Sequence, residues 1–216
     1  MRQYHQQEQL LAQVNASIEN ADILYRKGLY EQALKQLDKA YKLAEEQHLA
    51  IKMIETLDWQ RHYIGQIVAQ DWLQTVDSFL EERQTILRNE SAQTKYAKTY
   101  YTLLHFVRKY RHVREEEQRQ ELSTLVSKEF LQEPIEQENF YVRLMVLNIH
   151  NIYYFLLGDT LQAKDFMERI IDWWETNPKI LKQDQERYMA ALNNYLNAAY
   201  RIDSFESLKF VLEKAE

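Results

Sequence analysis

The chain has 216 residues, 45% apolar and 28% charged, which is ordinary for a folded protein. Three glycines, two prolines and no cysteine argue against a turn-rich sheet fold and exclude disulfides, thiolate metal sites and cysteine nucleophiles. A net charge of −6 argues against a general nucleic-acid binder, whose phosphate contacts need clustered Lys and Arg.

Apolar residues recur at helical spacing almost throughout, and the breaks between the stripes divide the chain into ten predicted helices. The first spans 6–27 and ends at Lys27-Gly28-Leu29, where glycine suits a left-handed cap. The second, 30–46, lines up Leu34, Leu37, Tyr41 and Ala44. Helices at 49–69 and 71–89 follow, then a break at Asn89-Glu90-Ser91 and a helix at 92–113. The run Arg108 to Arg114 meets Glu115-Glu116-Glu117, cations suiting one helix end and carboxylates the next helix start. Helices at 115–132 and 134–157 part at Glu133-Pro134. Gly158, with Asp159 or Thr160 as the next cap, leads into 160–176, whose stripe is Phe166, Ile170, Trp173 and Trp174. Asn177-Pro178 and Asp203-Ser204 precede the last two, 182–201 and 204–215. Connections this short force neighbours antiparallel, so the expectation is an all-α chain of five hairpins in series, a single domain over 1–216.

The stretch Ala21 to Ala40 combines small Ala21, large Leu24, turn Gly28, aromatic Tyr30, and then Ala33, Leu37 and Ala40. It resembles a tetratricopeptide repeat: small residues let two helices approach and large ones fill the space between hairpins. Tyr154, Gly158, Ala163, Met167 and Ile170 repeat much of the pattern, as do Ala199, Asp203, Phe205, Leu208, Leu212 and Ala215. The hairpins are longer than the family's usual period of about 34 residues. The resemblance implies a right-handed α-α superhelix whose concave groove is lined by the first helix of each hairpin.

Chemistry for catalysis is sparse. Glycines only at 28, 65 and 158 leave no phosphate-binding loop and no nucleophile elbow. No two histidines lie four apart, and the lone Glu45-x-x-His48 has no second copy with which to build a di-metal site. The reading is therefore a non-enzyme without cofactor or metal. Asparagines carry the sharper signal: Asn148, Asn151, Asn193, Asn194 and Asn197 fall inside predicted first helices, where Asn is a poor helix former. Asn193 and Asn197 share a face that Tyr200 and Arg201 continue, Asn148 is the equivalent in the hairpin before, and Lys98, Thr102 and His105 stand at the corresponding stretch of the third. In tetratricopeptide proteins such amides hold an extended peptide's backbone, which the resemblance implies here; the reading that weighs more is bonding between neighbouring helices. The two-lysine, one-arginine carboxylate clamp of chaperone-binding members is not reproduced.

The expected function is thus a protein- or peptide-binding scaffold; the alternatives are a peptide-sensing module whose effector domain is absent, and a self-assembling structural protein. Expected partners are another protein or peptide, not nucleic acid or membrane. Phe205, Leu208, Val211 and Leu212 share one face of the last helix, which leads to an expected homodimer through the C-terminal hairpin or continuation into a longer protein. No signal-like segment or long apolar run occurs in the sequence, so the expected location is cytoplasmic.

Overall fold

A computed structural model describes residues 2–66, 71–127, 130–131 and 139–201, with side chains described for those between 9 and 197. These residues form α1 (Arg2–Arg26), α2 (Tyr30–Glu46), α3 (Ala50–Ile64), α4 (Trp72–Tyr110), α5 (Glu116–Leu125), α6 (Phe140–Leu157), α7 (Thr160–Glu175), α8 (Pro178–Gln183) and α9 (Gln185–Arg201). Among the described residues there is no strand, and helices pack against their chain neighbours. No described helix is long and apolar enough to cross a membrane. The chain divides into two compact units, one ending at Ser91 and the other starting at Ala92.

In the first unit, α1 and α2 fold back on each other around Gly28. Its φ of 75° lets the Leu29 N–H reach the Leu24 carbonyl at 3.0 Å, closing the helix end. Ala21, Ala33, Ala40 and Ala44 are fully buried, so the small residues set the close approach of α1 and α2. Val14, Ile18 and Leu37 fill the same core, and Tyr63 of α3 completes it. Polar bonds add to this packing: Gln60 Nε2 donates to Asp38 Oδ1 at 2.6 Å, and the Tyr41 hydroxyl donates to Glu82 of α4 at 2.8 Å.

In the second unit, Tyr96, Leu103 and Phe106 of α4 pack with Leu122 of α5, Val126 and one face of α6 (Val142, Val146, Ile149, Leu156). The other face of α6, Phe140 and Leu147, packs with Phe166, Ile170, Ile171 and Trp174 of α7 and with Tyr188, Leu192 and Tyr195 of α9. Apolar burial on two faces explains why α6 is free of acidic residues and carries a single arginine.

Several helix limits differ from the sequence-based expectation. The break at Asn89-Glu90-Ser91 is absent: α4 is one continuous helix of 39 residues. Asn and Ser cost a helix interior only a few tenths of a kcal/mol more than average residues, and neither Gly nor Pro is present to stop it. By contrast the boundary after Val113 is real, with Gln118 Oε1 accepting from the Arg114 and Glu115 N–H groups at 3.1 and 3.4 Å. α3 ends at Ile64 rather than 69. α6 begins at Phe140 rather than 134, where the Asn139 side chain accepts from the N–H groups of Tyr141 and Val142 at 3.0 and 3.1 Å. The Asn177-Pro178 break opens the short α8, with proline in its first turn. Glu133-Pro134, Asp203-Ser204 and the expected helix 204–215 lie outside the described residues.

Candidate binding face

Two contacts tie the residues just after α4 to the end of α6. The Val113 N–H donates to the Leu156 carbonyl at 2.8 Å, and His112 Nδ1 lies 2.9 Å from the Phe155 carbonyl oxygen, 43 positions on. Toward the other end, Tyr100 of α4 and Tyr141 of α6 both feel the charge of Arg187 of α9. The guanidinium of Arg187 sits 5.9 Å from the Tyr141 ring centre. The second part of α4, α6 and α9 therefore bring Tyr100, Tyr141 and Arg187 to one face of this unit.

Burial is the main cause of the raised pKa of both phenols; the nearby Tyr101 adds to it for Tyr100 and Asp184 for Tyr141, while Arg187 lowers both. Arg187 is paired with Asp184 at 3.4 Å, and its side chain is 66% exposed. An exposed pair of this kind contributes about 0–1 kcal/mol, so the guanidinium can exchange Asp184 for another carboxylate at little cost. On α4, Lys98, Tyr101, His105 and Arg108 are exposed, and their three- and four-residue spacing puts them on one side, from which Tyr100 is turned away by about 80–160°. Tyr101 is 67% exposed.

Asn148 is half-buried, and its amide donates to the Leu144 carbonyl of its own helix at 2.7 Å. Thr102 is likewise turned inward to its own helix, donating to the Lys98 carbonyl at 2.8 Å. Asn193 and Asn197 are exposed and share one side of α9, opposite buried Tyr188, Leu192 and Tyr195. At about 100° per residue, Asn193 and Asn197 stand about 120° and about 80° round from Arg187, whereas Asn194 returns to within about 20° of it. Lys98 and His105 thus lie on the exposed side of α4, about 140–160° round from Tyr100, and Asn193 and Asn197 lie on another side of α9 from Arg187. Tyr200 and Arg201 lie in α9, and their side chains fall outside the described residues. Asn151 bonds between helices, its amide donating to the Ala163 carbonyl of α7 at 2.7 Å.

Tyr100, Tyr141 and Arg187 escape a sequence reading aligned on helix turns. Their only sequence signal is the absence of acids. From Ala92 to Tyr110, α4 has Lys95, Lys98, Arg108 and Lys109 and no carboxylate; α6 has Arg143 and none; α9 has Arg187 and Arg201 against Glu186. The intervening helices are the reverse, with Glu116, Glu117 and Glu121 against Arg119 in α5, and Asp165, Glu168, Asp172 and Glu175 against Lys164 and Arg169 in α7.

The other unit has an open depression of about 710 Å³ along α3, lined by Ile51, Ile54, Glu55, Asp58, Trp59 and His62. Its carboxylates already face cations: Glu55 pairs with Lys52 at 2.7 Å, and Asp58 lies 3.7 and 3.4 Å from Arg61 and Arg83. Among the described residues, no three His, Asp or Glu side chains gather closely enough to hold a metal ion. No protein-family model matches the chain, and neither a curated protein nor a solved structure does.

Proposed function

We propose that this protein is a binding scaffold of the tetratricopeptide-like kind, a superhelix of helical hairpins that holds a segment of another protein on a face built by first helices. One observation carries the reading: the second part of α4, α6 and α9 converge on Tyr100, Tyr141 and Arg187, with exposed Tyr101 beside them. Aromatic rings with hydrogen-bonding tips and an arginine are the side chains over-represented where proteins bind proteins. The repeated left-handed glycines, Gly28 and Gly158 at φ of 75° and 78°, support the hairpin part of the reading. Catalysis has little support, because the titratable groups on this face are spread singly along three helices rather than paired.

The test is positional. A photoreactive phenylalanine analogue replaces Tyr101, and separately replaces exposed Glu117 of α5, and each protein is illuminated in lysate of the source organism. The expected outcome is a discrete adduct from position 101 that position 117 does not form. Equal adducts from both positions, or none from 101, would remove the reading.

A further inference from the structure

We propose that the exposed line of Leu73, Leu80 and Leu87 on the first part of α4 docks an amphipathic helix of a partner protein, one that carries lysines or arginines opposite Asp77 and Glu81. This surface belongs to the unit that ends at Ser91 and does not rest on the Tyr100, Tyr141 and Arg187 face of the other unit. Leu73, Leu80 and Leu87 are 60%, 44% and 41% exposed. Single exposed leucines are ordinary on a protein surface, but these repeat every seven residues along one continuous helix. At about 100° per residue they drift by only about 40° in all, so they form one stripe. Buried Ile86 stands about 100–140° round the helix from them. Glu82 and Arg83, within about 60° of Ile86, hold that side to α2 and α3. Glu82 accepts from the Tyr41 hydroxyl at 2.8 Å, and Arg83 lies 3.4 Å from Asp58. None of the three leucines belongs to the core of this unit.

The repeat selects the shape of the occupant, and the charges select its chemistry. An apolar line of seven-residue period stays in register with a second α-helix that crosses it at about 20°. Exposed Asp77 lies about 40–80° round from the leucines, and exposed Glu81 about 80–120°, both on the flank away from Arg83. Neither has an ion partner among the described residues. From Asp71 to Glu82 the chain holds four acids and no cation. Arg88, at the Leu87 end, turns back on its own helix, its Nε donating to the Gln84 carbonyl at 3.4 Å. The partner's cations therefore belong at the Leu73–Leu80 end, where charges flanking an apolar seam choose which helices pair. A second copy of the stripe is the poorer occupant. Paired in parallel, leucine on leucine, it sets Asp77 against Asp77. Paired antiparallel, with Leu73 on Leu87 and Leu80 on Leu80, it brings the two Glu81 residues to within about 3 Å of one level along the axis.

The experiment pans a displayed library of amphipathic helices, about three heptads long, against the full chain. Leucine is fixed along the apolar seam, and the flanking positions are free to be Lys, Glu or Gln. An enriched peptide is then titrated against L73S/L80S/L87S, against D77K/E81K, and against E116K/E117K, which changes net charge equally at exposed positions of α5. Circular dichroism and melting check that all three variants fold. The proposal expects lysine at the flanks, and binding at least about tenfold weaker to the leucine variant and to D77K/E81K but unchanged by E116K/E117K. Exchanging the peptide's lysines for glutamates should restore binding to D77K/E81K. Enrichment without a preference for flanking lysine, or equal weakening by E116K/E117K, would overturn the basic partner. Binding indifferent to the leucine variant, or no enrichment at all, would overturn the docking stripe. A wild type that dimerises in sedimentation equilibrium while L73S/L80S/L87S stays monomeric would assign the stripe to a second copy and sink the proposal. None of these outcomes moves the adduct at position 101, which judges the scaffold reading separately.

Discussion

At the residue scale, helix ends separate what glycine announces from what it does not. Gly28 and Gly158 have φ of 75° and 78°, and no atom lies within 4 Å of where a Cβ would sit. Alanine there would strain the backbone without clashing, so Gly158→Ala should lose about 1 kcal/mol in denaturant titration. His48 takes the same conformation at φ 53°, with the same pair of bonds, its own N–H to Glu45 and the Leu49 N–H to Ala44. Histidine gains nothing from that backbone, and His48→Gly should raise stability by about 0.5–1 kcal/mol; an unchanged or lower midpoint would count against it. His150 poses a different residue-scale question. It is buried between the rings of Phe130 and Phe166, its Nδ1 bonds to the Val146 carbonyl, and its Nε2 has no hydrogen-bond partner among the described residues. Burial lowers its pKa, against the opposing pull of the Val146 and Leu131 carbonyls, with Arg169 adding to the lowering. A lowered folded pKa means the neutral ring is the native form. Its contribution is complete above the unfolded value near 6.5 and is lost as pH falls through the folded value. The melting temperature of the wild type should therefore fall between pH 7 and pH 5 more steeply than that of His150→Leu. Parallel profiles would show that His150 is not the source.

At the element scale, α4 is the decisive case. Its first part mixes Asp77, Glu81, Glu82 and Glu90 with Arg83 and Arg88, and its last turn carries Arg108 and Lys109, which suit the negative end of the helix dipole. Read residue by residue, Asn89-Glu90-Ser91 looks like a helix end followed by a cap. Ala92→Pro distinguishes the two arrangements. Proline at the first position of a new helix would be tolerated, whereas inside a continuous helix it should cost about 3 kcal/mol or more and reduce helicity. The structure predicts the larger loss. The sequence conveyed helix type well, because few glycines and prolines leave long amphipathic runs little alternative. Limits were legible where a side chain or glycine closes the end, as at Gly158-Asp159 and at Glu115. Asn139, a true cap, was masked by Pro134 upstream, which looked like the stronger start signal. α4 ends at Tyr110, with Arg111 in a left-handed conformation, so of the basic run only Arg108 and Lys109 belong to the helix.

At the scale of the whole molecule, the face was only half legible for a definite reason. Lys98 and His105 were legible as neighbours on one side of α4, because helical spacing within one element predicts which residues share a side. Tyr141 and Arg187 were not, since their meeting depends on how far one helix is shifted along the next, and packing sets that shift. Helical spacing orders residues within α4 or within α9, but the packing of α6 on α7 and α9 around Phe140, Trp174 and Tyr188 decides which residues of different helices meet, and that packing is not written at any one position.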